Sequence, residues 1–145
     1  MTDYRPGLDG VIATESSISD INGKKGILSY RGYSIEELAQ KSTFEETSYL
    51  LLTGELPTKS QLSSFTKKIN RKRDLPPKLL SLLENLPKNS NPMDVLQLGV
   101  SSLGSFYPIK FDPEELKANL YKEDYFLDIS ASLIGSIGSI VVAWN

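Results

Sequence analysis

The side chain that ordinarily moves protons near neutral pH is histidine, and this chain of 145 residues contains none. General acid–base chemistry at that pH therefore rests on other groups, whose ordinary pKa values lie far from 7. Cysteine is absent too, which removes thiolate nucleophiles, thiolate metal ligands and any disulfide framework. Three features remain. Arg31 sits in Tyr30-Arg31-Gly32-Tyr33, where a guanidinium held beside two tyrosines can grip a carboxylate or phosphate with parallel N–H donors. The same residue equally serves as one half of a structural ion pair, or as a planar stack docking a strand on a helix. Lys67, Lys68, Arg71, Lys72 and Arg73 form a basic run. It suits a polyanion or a cofactor phosphate, but also a solvated helix C-terminus, where cations complement the dipole. Gly135-Ser136-Ile137-Gly138 resembles a phosphate loop only in its glycines, since no strand precedes it and no lysine follows. Two glycines at that spacing on an apolar helix more readily allow close helix approach.

These residues need elements to hold them. Val11-Ile12-Ala13 opens an extended, β-branched run that continues through Ser17-Ile18-Ser19. Asn22-Gly23 offers the positive-φ pair of a tight reversing turn, and Gly26-Ile27-Leu28 starts a second strand. Two strands alone are marginal in water, so this ribbon needs a surface to lie on.

Everything after it reads as helix. Ser34 with Glu37 forms a capping box, followed by Ile35, Leu38 and Ala39 as an apolar face. Thr43 with Glu46 repeats the device for a helix carrying Thr47, Leu50 and Leu51 that stops at Gly54. Thr58 with Gln61 opens a third, with Leu62, Phe65 and Ile69 on one face. Pro76-Pro77 breaks it and begins a fourth, where Leu79, Leu83 and Leu86 recur until Pro87. Asn91 caps a fifth with Pro92 at its first position. Met93, Leu96, Val100 and Leu103 form its predicted face and Gly104 its stop. Asp112-Pro113-Glu114-Glu115 opens a short sixth. The last helix carries Leu133, Ile134, Ile137, Ile140, Val141 and Trp144, with Asp128 in its first turn and small residues on the opposite side. Contacts on both faces place such a helix inside a larger assembly. The fold class is all-α with a small N-terminal β-ribbon, and residues 1–145 form a single region without a linker or repeat.

The segment from Pro6 to Tyr33 closely resembles the amino-terminal signature of citrate synthases: PGL-x-GV, ATESSIS, the I-N-G turn, then GIL-x-YRGY followed by IEEL. The likeness continues through YLLLTGELPT at 49–58, DLPP at 74–77 and NPMDVLQ at 91–97. It implies the amino-terminal part of that family's large helical domain, incomplete relative to subunits more than twice as long. The chain departs from the resemblance at Gly138, where relatives commonly have a proline that kinks the helix. The implied parent activity condenses acetyl-CoA with oxaloacetate and water to give citrate and coenzyme A, as in the tricarboxylic acid cycle. In the family an aspartate removes a proton from the acetyl methyl group, two histidines act on the carbonyls, and arginines hold the dicarboxylate. None of these positions matches residues 1–145, so no catalytic, cofactor-binding or metal-ligating residue is assigned. Acetyl-CoA enters as a substrate only. The expectation is a chain inactive by itself that supplies scaffold and subunit-interface helices to a homo-oligomer, dimer or hexamer, or to the remainder of the same enzyme. Its close on an apolar helix points the same way. A free-standing, non-catalytic helical association module derived from a citrate synthase stays open, as does a piece of a 2-methylcitrate synthase, because that family shares the signature.

Composition adds exclusions. A net charge of −2 gives no sign of a nucleic-acid partner. Met1 to Gly7 has no apolar core typical of a secretory signal and lacks the arginine-rich amphipathic pattern of a transit peptide. The run Ile129–Trp144 is uncharged for 16 residues, against the roughly 20 of a membrane span, and its serines and glycines favour a buried helix. Without cysteines, a cytoplasmic location is the expectation.

Overall fold

The computed structural model describes residues 7, 10–12, 14–106, 118 and 122–144. It divides into two compact units, Met1–Leu56 and Pro57–Asn145.

The first unit begins with a three-stranded antiparallel sheet in the order β1 (Ser19–Asn22), β2 (Ile27–Tyr30) and β3 (Tyr33–Ser34). The ribbon expected from the sequence is present but starts later: Val11 and Ile12 lie outside any strand. Its turn also differs. β1 and β2 pair up to Asn22 opposite Ile27, leaving four residues in the loop. The positive φ falls on Gly26, at 65°, and not on Asn22-Gly23. Asn22 instead closes the turn by accepting the Lys25 N–H on both its carbonyl oxygen and its Oδ1, each at 3.1 Å. The length of the loop sets this, because a four-residue connection does not require the mirror-image pair of a two-residue one.

That mirror-image pair occurs at the next reversal. Tyr30 pairs with Tyr33, so Arg31 and Gly32 alone form the turn, with φ of 48° and 87°. A type I′ hairpin demands positive φ at both positions, and glycine meets this freely whereas arginine does not. Two helices follow, α1 (Ile35–Lys41) and α2 (Phe44–Thr53). Ser34 caps α1 by accepting the Glu37 N–H, while the Glu37 carboxylate turns away to Lys41 at 3.0 Å; the expected box is therefore half formed. Ala39, assigned to the buried face, is exposed, and Leu38 is the buried residue. Thr43 and Glu46 complete the full reciprocal box on α2, which ends at Gly54 with φ of 96°.

The second unit contains α3 (Lys59–Arg71), α4 (Pro77–Glu84), α5 (Pro92–Phe106) and α6 (Glu123–Trp144). Thr58 and Gln61 form a full capping box on α3, and Asn91 Oδ1 takes the Met93 N–H at the start of α5. α3 ends at Lys72, before Pro76, and α4 ends at Asn85, before Pro87. The helix expected from Asp112 lies outside the described residues. α6 packs against α3, α4 and α5. Their common core joins Leu75, Leu79 and Leu83 to Val95, Leu103 and Ile140.

Two faces differ from the reading of the sequence. α5 buries Val95, Gly99 and Leu103, whereas Met93 is 67% exposed and Gly104 lies within the helix without ending it. The reason is a close approach: a Cβ on residue 99 would stand 2.5 Å from Ile140 Cγ2, so only glycine admits α6 here. On α6 the buried stripe is Leu127, Ala131, Gly135, Ser136 and Ile140. The apolar side meant for the core leaves Leu133, Ile137 and Val141 39%, 41% and 51% exposed. By length and composition α6 is one helix long and apolar enough to cross a membrane, with 28% of its window buried inside the protein.

Candidate functional site

Arg31 is built into the first unit by its neighbours. Its backbone N–H extends the β1–β2 pairing to the carbonyl of Ile18 at 2.9 Å. Its guanidinium donates to Ser17 Oγ at 2.8 Å and to the carbonyl of Leu51 at 2.9 Å. Leu51 belongs to the last turn of α2, whose carbonyls have no intrahelical partners. A cation there meets both the orphan acceptor and the negative end of the dipole. Arg31 thus docks the sheet on α2, neither through an ion pair with a described residue nor through a ring stack. Its Nε is buried without a hydrogen-bond partner. The bonds to Ser17 and Leu51 hold a left-handed arginine that would otherwise cost about 1 kcal/mol or more. We expect Arg31→Gly to relieve the backbone and yet destabilise, by about 1 kcal/mol net, because it removes both guanidinium bonds. Hydrogen exchange at the α2 C-terminus and the ribbon checks this: faster exchange there is the expected result, and unchanged protection overturns the docking role.

The basic run divides along the surface of α3. Lys68 forms an ion pair with Asp128 of α6 at 2.6 Å. That pairing corrects the expected placement of Asp128, since α6 starts at Glu123 and puts Asp128 beyond its first turn. Lys72 gives its carbonyl to Ser136 Oγ at 3.1 Å, a bond from a fully buried serine to the end of α3. Beside it, a Cβ on residue 135 would stand 2.4 Å from the carbonyl oxygen of Ile69. Gly135 is therefore a crossing point of α3 and α6, whereas among the described residues a Cβ on residue 138 meets nothing within 4 Å. Of the two glycines, only the first serves close approach.

Lys68, Arg71 and Lys72 line a groove of about 710 Å³ between α3, α5 and α6. Arg73 faces a second groove with Leu80, Ile134 and Gly138. Lys67 is exposed and lines neither of these grooves. The basic run is thus not one patch. The pairing of Ser17 with Arg31, of Asp128 with Lys68 and of Ser136 with the Lys72 carbonyl carries no local signal in the sequence. Among the described residues no three acidic side chains gather as a metal site would require.

Comparison with known proteins bears directly on what these elements belong to. The family model described as citrate synthase, C-terminal domain, matches residues 7–145. The chain belongs to the citrate synthase family. A citrate synthase of Acidithiobacillus ferridurans is 39% identical over 143 residues, which is 98% of this chain and 36% of that protein. A 2-methylcitrate synthase of Corynebacterium glutamicum is 44% identical over 104 residues, covering 72% of this chain and 27% of its own length. The crystal structure of citrate synthase from Pyrobaculum aerophilum matches with a TM-score of 0.81 at 38% identity, over 95% of this chain and 35% of that one. A ternary complex of the Thermoplasma acidophilum enzyme with carboxymethyl coenzyme A and oxaloacetate reaches the same TM-score at 28% identity. The chain spans about a third of the length of these relatives. The helical architecture with its small sheet is that of the family's solved members, as the sequence resemblance implied.

Proposed function

We propose that residues 1–145 are a scaffold portion, the amino-terminal part of the large helical domain, of an enzyme that condenses an acyl-CoA with oxaloacetate. In the parent reaction a methyl proton of acetyl-CoA is removed and the resulting enolate attacks the oxaloacetate ketone. Water then cleaves the thioester, releasing citrate and coenzyme A. A proton must leave a carbon far more weakly acidic than any side chain, so the enolate oxygen needs a positioned donor. The observation that carries this reading is the absence of histidine from a chain that matches only about a third of its relatives. The family's two histidine roles then fall to the remaining two thirds. What this portion contributes is rigidity: capped helices, the Arg31 dock and the glycine crossings hold elements on which a site elsewhere depends. The exposed stripe Leu133, Ile137 and Val141 supports packing against further chain, either the rest of the enzyme or a second subunit.

Thiol release tests the proposal. The purified chain, given acetyl-CoA or propionyl-CoA with oxaloacetate, is expected to release coenzyme A no faster than the solution without protein. Turnover above that background would falsify the scaffold reading. The propionyl arm matters because 2-methylcitrate synthases are among the relatives.

A further inference from the structure

Asn22-Gly23 stands in the β1–β2 turn without the conformational role that its residue types suggest. The left-handed residue of that turn is Gly26, and φ of Gly23 lies outside the positive region. What Gly23 does supply is an unobstructed backbone nitrogen. Among the described residues nothing lies within 4 Å of where its Cβ would stand, and its N–H donates no hydrogen bond in the turn. An electrophile is next to it. Asn22 Oδ1 accepts the Lys25 N–H at 3.1 Å, which folds the side chain back over the turn and polarises its amide carbonyl. The amide nitrogen, which would be the leaving group, donates to no described residue. Residues 19–27 are all exposed, so water reaches the site. Lys24 and Lys25 stand close to any negative charge that develops on the Gly23 nitrogen. The other described asparagines lack one of these parts. Asn70 lies in α3, whose ladder holds the next N–H, and Asn85 gives its amide to the Ser81 carbonyl at 2.7 Å. Asn91 precedes proline, which has no N–H to lose, and Asn89 precedes serine, whose side chain crowds the nitrogen.

We propose that Asn22-Gly23 is a self-modifying site that converts to isoaspartate and thereby loosens the β1–β2 hairpin. Hydroxide removes the Gly23 amide proton, and the nitrogen attacks Asn22 Cγ. The Cγ–Nδ2 bond breaks, and the amide leaves as ammonia after taking a proton from water. Water then opens the resulting five-membered succinimide at either carbonyl. Opening at Cγ gives aspartate, whereas opening at the main-chain carbonyl gives isoaspartate. The net change is amide plus water to carboxylate plus ammonium, with no oxidation or reduction. Isoaspartate routes the backbone through Cβ and adds one atom to it. The last ladder pair, Asn22 with Ile27, and the 3.1 Å bond from Lys25 N–H to the Asn22 carbonyl both depend on the original path.

Gly23→Ala separates the chemistry from the fold. Neither φ nor space demands glycine at 23, so the variant keeps the turn while a methyl group crowds and stiffens the nucleophile. The whole chain is incubated in warm, mildly alkaline buffer. Intact mass, peptide mapping and methyl labelling by an isoaspartyl carboxyl methyltransferase follow the reaction. Residue 22 is expected to react before any other asparagine, faster as hydroxide rises, with isoaspartate in excess over aspartate. Gly23→Ala should slow the reaction at least about tenfold, equivalent to about 1.4 kcal/mol of barrier. The modified chain, separated on anion exchange by its added negative charge, should show faster hydrogen exchange in β1 and β2 and unchanged exchange in α4 and α5. A residue 22 that stays intact, an equal rate in Gly23→Ala, or reaction at Asn89 ahead of Asn22 each overturns the proposal. Aspartate without isoaspartate overturns it in favour of direct hydrolysis. Unaltered exchange in the sheet of the modified chain overturns the loosening of the hairpin.

Discussion

Gly135→Ala is expected to destabilise the chain by about 2 kcal/mol, while Gly138→Ala, three residues later on the same helix, stabilises it by up to about 1 kcal/mol. The two substitutions are chemically identical and both gain the same helix propensity, worth about 0.8–1 kcal/mol. They differ in what the new methyl meets. At 135 it would lie 2.4 Å from the carbonyl oxygen of Ile69 and 3.1 Å from Lys72 Cβ. A backbone oxygen inside a packed helix cannot move aside as a flexible side chain can, so α3 and α6 must separate. Overpacking of this kind costs about 1–3 kcal/mol, and occasionally more. Separation also lengthens the bond from Ser136 Oγ to the Lys72 carbonyl, leaving a fully buried hydroxyl without its partner. At 138 there is open space among the described residues, and the propensity gain stands alone. Thermal or urea melts of the two variants decide the matter. Shifts of equal sign, or a neutral Gly135→Ala, would show that the crossing is looser than these distances state.

The second large effect is expected at Leu79. It is fully buried in α4 and joins Leu83, Val95, Leu103 and Ile140 in the core of the second unit. Removing three carbons there loses their transfer free energy and leaves a cavity that the surrounding helices refill only in part. The expected cost of Leu79→Ala is about 2–5 kcal/mol, a large fraction of the 5–15 kcal/mol typical of a whole domain. Leu82→Ala is the control on the same helix: Leu82 is 39% exposed, and its truncation should cost well under half as much. Urea titration with matched m-values provides the comparison. If both variants lose similar stability, the four-helix core does not dominate the folding of the second unit.

Local grammar was legible wherever the chemistry itself is local. Thr43 with Glu46 and Thr58 with Gln61 satisfy helix N-termini through atoms three residues apart, and both boxes form as expected. Gly54 ends α2 because a left-handed residue is needed and glycine supplies it. Asn91-Pro92 opens α5 for equally local reasons. Two of the motifs that mark the citrate synthase family, YLLLTGELPT and NPMDVLQ, lie in these same stretches. The candidate residues were harder. Arg31 could be singled out from Tyr-Arg-Gly-Tyr, but its partners Ser17 and the Leu51 carbonyl lie 14 and 20 positions away, and nothing in the sequence names them. Lys68 and Asp128 meet only because α3 and α6 pack together.

The sequence by itself determined where most helices begin, that a small sheet precedes them, and which family the chain resembles. Each of these depends on interactions within a few residues, or on motifs read in order. On α3 and α4 the expected Phe65, Ile69, Leu79 and Leu83 are the buried residues, whereas for α5 and α6 the tertiary structure decided which side faces inward. α5 carries apolar residues almost all round, and the face that wins is the one where Gly99 lets Ile140 approach. α6 has a side of large apolar residues and a side of small ones. The buried stripe joins the small Ala131, Gly135 and Ser136 to Leu127 and Ile140, because close approach to α3 and α5 requires small residues at the crossings. Hydrophobic periodicity ranks faces by transfer free energy, whereas helix crossings select them by shape. For α6 shape prevailed, and that choice leaves Leu133, Ile137 and Val141 at the surface.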